Sequence, residues 1–130
     1  MTAHSLLQRS AFVSLCSLLL TAVVFSQEST HKISFTFNYD FRITPACSRN
    51  VKKACVQQFN FYDISQGIEN RVKLGSMPVP AGASGFVQGI SATTEPLLFN
   101  SGRHRLAVSA QMPDGLESDL SKCTTIVKIP

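Results

Sequence analysis

Tryptophan is absent from this chain, so whatever core it builds is filled by other aromatics, chiefly nine phenylalanines. No asparagine stands two residues before a serine or threonine, and N-glycosylation is not expected. Basic residues outnumber acidic ones only 12 to 8. Without a dense Lys/Arg stripe beside stacking aromatics, this mild excess does not describe a nucleic-acid binder. There is no Gly-x-Ser-x-Gly and no other catalytic signature, so an enzyme is not expected. No two histidines or cysteines have zinc spacing, since Cys47 and Cys55 lie eight residues apart with Lys52 and Lys53 between them. No metal or cofactor is expected.

One long apolar run is present. Arg9 precedes "AFVSLCSLLLTAVVF", residues 11–25. A membrane-crossing helix needs roughly 20 such residues, so this run is short for that role. A basic flank, a short apolar centre and small residues at the exit describe a secretory leader. Val24 and Ser26 occupy the positions a signal peptidase reads, which places cleavage after Ser26. The expectation is a leader over 1–26, a single domain over 27–130 and a secreted, extracellular protein. No further long apolar stretch argues for stable membrane insertion after cleavage.

Beyond the leader, short alternating runs dominate. "KISFTFNYDFRI", residues 32–43, puts Ile33, Phe35, Phe37, Tyr39, Phe41 and Ile43 on one face and polar residues on the other. Strand side chains alternate between faces, so this is a half-buried strand. Further strands are predicted over 55–65, 71–77, 86–92, 103–111 and 123–129, separated by polar, Gly- or Pro-containing turns. Pro78 and Pro80 place the 71–77 run at an edge or strand end. Six to seven short strands without an amphipathic helix predict an all-β, antiparallel β-sandwich.

The stretch "LLFNSGRHRLAVSAQMPDGLESDLSKC", ending at Cys123, resembles a fibronectin type III domain. Leu98 stands at the family's leucine before the sixth strand; Leu106, Val108 and Ala110 form its alternate series; Gly115 and residues 118–121 match the loop that follows. The family's tyrosine is replaced by His104, and Tyr39 or Phe41 must fill the volume of its missing tryptophan. The resemblance implies an immunoglobulin-like sandwich with residues 112–119 as an exposed hairpin loop. His104 lies between Arg103 and Arg105, two cations expected to oppose its protonation.

Cleavage would remove Cys16 and leave Cys47, Cys55 and Cys123, an odd number for an oxidising compartment. Cys47–Cys55 would close the loop between the second and third strands of the type III pattern. Cys47–Cys123 is the competitor, and in the first case Cys123 is left free or available to another chain. In a sandwich, Arg49, Lys52 and Lys53 share an end with Asp114, Glu117 and Asp119. These six are the candidate binding residues, because loops carry recognition on a scaffold the sheets hold still. The expected function is binding of an extracellular or cell-surface protein, as a soluble ligand or receptor modulator using loops or a sheet edge. The alternative is an assembly subunit linked through the odd cysteine. A glycosaminoglycan contact joining residues 49–53 to 102–105 is weaker, since those clusters belong at opposite ends.

Overall fold

Alternation in the first aromatic run translates directly into a strand with one dry face. The computed structural model describes residues 16, 20–27, 29–48 and 54–130. Its strands are β1 (Thr21–Gln27), β2 (Thr30–Asp40), β3 (Gln58–Asp63), β4 (Val72–Pro78), β5 (Phe86–Thr93), β6 (Gly102–Gln111) and β7 (Thr124–Ile129). Two single 3-10 turns, Ile68–Asn70 and Leu120–Lys122, are the helical segments among the described residues. Antiparallel pairing arranges the strands in two sheets, β1-β2-β5 and β4-β3-β6-β7. The chain is an all-β sandwich.

Between the sheets, Ile33, Phe35, Phe37 and Tyr39 of β2 meet Phe59 and Phe61 of β3 and Leu106, Val108 and Ala110 of β6. Phe35 stacks on Phe61 at 4.5 Å, and Phe37 sets its edge against Phe59 at 4.9 Å. Tyr39 and Phe41 pack edge-to-face on each other and on Phe59. These three rings form one packed group in the core. Burial pushes the Tyr39 hydroxyl pKa up to about 12. The alternation stops earlier than the sequence suggests. Asp40 accepts the Arg42 backbone N–H and holds its guanidinium, turning the chain so that Ile43 points outward.

The β2–β5 ladder slips once. Asn38 alone separates Phe37 from Tyr39, while Gln88 and Gly89 separate their partners Ile90 and Val87. Gly89 takes the extra place at φ +70°, a conformation that side chains other than glycine rarely tolerate. Its N–H donates to the Asn38 side-chain oxygen at 2.9 Å.

Two features differ from the sequence expectation. Residues 21–26, assigned to the leader, form most of β1, with Thr21 opposite Thr36 and Gln27 opposite Thr30. An apolar leader segment and an apolar edge strand share a composition. The rest of the expected leader, apart from Cys16 and Leu20, lies outside the described residues. The connection between β6 and β7 is also no simple exposed hairpin. It folds back across the outer face of the larger sheet, where Leu120 joins Tyr62, Ile64 and Ala107 in a small buried cluster.

Candidate functional site

Pairing order sends the connections 41–57, 79–85 and 112–123 to one end of the sandwich and 64–71 and 94–101 to the other. Both disulfides belong to the first end. Val56 N–H donates to the Pro45 carbonyl and Cys47 N–H to the Val56 carbonyl, drawing the two sides of the 41–57 connection together. Cys47 and Cys55 are bonded there, with Cα atoms 4.9 Å apart. Cys123, which the sequence left free or paired with Cys47, is joined to Cys16, with Cα atoms 5.1 Å apart. That pairing was not foreseen because Cys16 was counted out with the leader. β1 enters from this end and packs along β7, which brings Cys16 to Cys123, the residue just before β7.

Of the six candidate binding residues, Arg49, Lys52 and Lys53 lie outside the described residues. Asp114 is exposed, and its carboxylate accepts the Leu116 N–H to shape the turn. Asp119 caps the 3-10 turn, accepting from the Ser121 N–H and hydroxyl. Glu117 turns inward. One of its carboxylate oxygens accepts from the Tyr62 hydroxyl at 2.7 Å, the Asn60 amide at 2.8 Å and the Ser109 hydroxyl at 2.6 Å. Burial works against its charge, but these three donors and nearby Arg71 outweigh it and hold the carboxyl below the usual glutamate range. Tyr62 responds in the opposite sense: burial, then Glu117, pushes its hydroxyl up to about 12. The negative charge expected at the loop surface is therefore spent pinning the loop to the sheet.

At the opposite end His104 occupies the corner where β6 begins. Its Nδ1 lies 2.7 Å from an Asp63 carboxylate oxygen and its Nε2 2.7 Å from the Asn100 carbonyl. A carbonyl and a carboxylate can only accept, so the ring satisfies both by carrying two protons. Burial opposes that charge, but the Asn100 carbonyl and the Asp63 hydrogen bond and charge prevail, and the pKa is raised. Arg103 and Arg105 do not oppose it as expected: alternation along β6 sends their side chains to the other face. Asp63 is held below the usual aspartate range; desolvation is outweighed by bonds from Ser65 and His104. A cleft of about 530 Å³ opens here, lined by Asp63, Leu74, Leu97, Phe99 and His104 among others. Below its raised pKa the ring has both protons engaged and offers that cleft neither a basic lone pair nor a metal ligand.

Leu98 departs from the resemblance. It is 78% exposed, and its neighbour Phe99 turns in to pack on His104 at 5.5 Å. Among the described residues no group of three His, Cys, Asp or Glu is placed to hold a metal ion. Nor is any helix among them long and apolar enough to cross a membrane. Comparison with protein-family models, with curated proteins and with solved structures finds no match to this chain.

Proposed function

We propose that this chain is a secreted fibronectin type III-like domain that acts by binding an extracellular or cell-surface protein, as a soluble ligand or receptor modulator. The observation that carries this reading is the Cys47–Cys55 disulfide at the end where three connections meet on a rigid double sheet. Disulfides persist in oxidising compartments, and loops tied to a scaffold make a preorganised recognition surface. The type III reading is supported by the fourth strand lying beside the third, where a constant-type immunoglobulin domain has it in the opposite sheet. His104 bonding back to the Asn100 carbonyl supports it further, in the manner of the family's corner tyrosine. Secretion with cleavage after Ser26 is part of the proposal. β1 is apolar on both sides, with Val23 and Phe25 exposed, whereas β2 shows the solvent only polar residues. A leader needs such a run; an edge strand does not.

The test is saturable binding of purified secreted protein to intact cells. Arg49→Ala, Lys52→Ala and Lys53→Ala combined with Asp114→Ala should weaken that binding at least tenfold, and enzymatic removal of heparan sulfate should leave it intact. Binding that does not saturate, or that vanishes with heparan sulfate, contradicts it. The second reading, an assembly subunit, is favoured by one observation: Cys123 is bonded to Cys16, so the cleavage proposed above would leave it without that partner.

A further inference from the structure

We infer that the outer edge of β2, vacated when the leader is removed, is the seat for a strand donated by a partner chain that carries a cysteine able to bond Cys123. This rests on the cleavage proposed above. In the full chain the seat is filled by β1, and its occupant defines what fits. Leu20 is buried, and Ala22, Val24 and Cys16 pack against the core. Val23 and Phe25 stand in solvent, with Phe25 opposite Lys32.

Loss of residues 1–26 takes away the whole ladder partner of β2 from Thr30 to Thr36, apart from Gln27. It also uncovers the side of the core that β1 closes against β7. An exposed edge bordered by apolar core surface pairs readily with an incoming strand. Cleavage ahead of folding means that Cys123, only 1% exposed in the full chain, never bonds Cys16 and stays a thiol. The site is thus a backbone edge, the buried position left by Leu20, two shallower apolar positions and a thiol at one end. The fitting partner is an extended segment with a small and then a branched apolar residue at alternate positions and a cysteine preceding them. An acidic residue opposite Lys32 would complement its charge, where Phe25 now contributes only exposed apolar surface.

The covalent step is thiol–disulfide exchange with a low-molecular-mass disulfide such as oxidised glutathione. The Cys123 thiolate attacks one sulfur and expels a glutathione thiolate. The partner's thiolate then attacks Cys123 Sγ and expels the second. Two protein thiols become one disulfide while glutathione disulfide takes up the two electrons and two protons.

The experiment uses protein recovered from the medium of cells expressing the full chain, with its amino terminus fixed by intact mass. The probe is a peptide spelling residues 16–27 with Val23→Lys and Phe25→Glu, in a glutathione redox buffer. A start at Gln27, a peptide adduct on Cys123 and at least tenfold slower amide exchange over residues 31–36 are expected. A control peptide that keeps its cysteine but carries Ala22→Asp and Val24→Asp should give no protection and little adduct. The Cys123→Ser protein should still be protected by the first peptide, without an adduct. A start upstream of Cys16 with the Cys16–Cys123 bond intact overturns the cleavage reading and this inference with it. A start at Gln27 overturns the inference alone if both peptides react equally, if β2 is unprotected, or if a second copy of the chain holds that edge against the peptide.

Discussion

His104 shows how much a single side chain owes to strand geometry. Along the sequence its neighbours are arginines; in space its partner is Asp63, forty-one residues away. Nothing in the local sequence marks that pairing, because it depends on β3 lying beside β6. Its raised pKa stabilises the fold fully below the ordinary histidine value of about 6.5, and that contribution is lost as pH rises through the folded value. Asp63 is lowered, so its contribution is present above about 3.8 and lost as pH falls through its own folded value. The melting temperature should therefore decline as pH rises above 6.5, and His104→Gln should flatten that decline while costing about 1 kcal/mol near pH 6. Thermal denaturation from pH 5 to 9 checks both. Glu117 gives a second case. Glu117→Ala leaves Asn60, Tyr62 and Ser109 without the oxygen they share, at a cost of about 3 kcal/mol in denaturant unfolding. Glu117→Gln, which keeps an acceptor, should cost clearly less.

At the scale of the element, the strands after residue 30 were legible because each has one apolar face or is bounded by Gly, Pro or Asp. β1 was not, since its apolar residues fall on both faces and continue a longer apolar run. The connection between β6 and β7 was misread for a different reason. "MPDGLESDL" is largely polar by composition, yet Leu116 and Leu120 give it an inner side and Glu117 finds donors on the sheet. Period-two alternation makes a sharp prediction within β2. Phe37 is buried and contacts Phe59 and Phe61, so Phe37→Ala should cost about 3–5 kcal/mol. Thr36 faces outward and gives only one exposed hydrogen bond, to Ser91, so Thr36→Ala should cost less than about 1 kcal/mol. Equal losses in equilibrium unfolding would mean that β2 does not present its odd-numbered residues to the core.

For the whole molecule, the sandwich class follows from local patterns, whereas the strand order does not, and the cysteine pairing depends on which residues remain in the folded chain. Cys47 and Cys55 close a loop of nine residues that contains Arg49, Lys52 and Lys53. Replacing both with serine should cost roughly 2–3 kcal/mol by loop entropy. The fate of Cys123 depends on the leader, and with it the choice between a self-contained domain and one that receives a strand. The candidate binding residues were legible only as charges at one end; that Glu117 points inward required the folded loop. The most direct measurement is a non-reducing peptide map of the exported protein, with its amino terminus read by mass. The result expected is a chain starting at Gln27, a Cys47–Cys55 peptide, and Cys123 present as a free thiol or joined to a cysteine of another polypeptide. A chain retaining Cys16 bonded to Cys123 within the same molecule would contradict it.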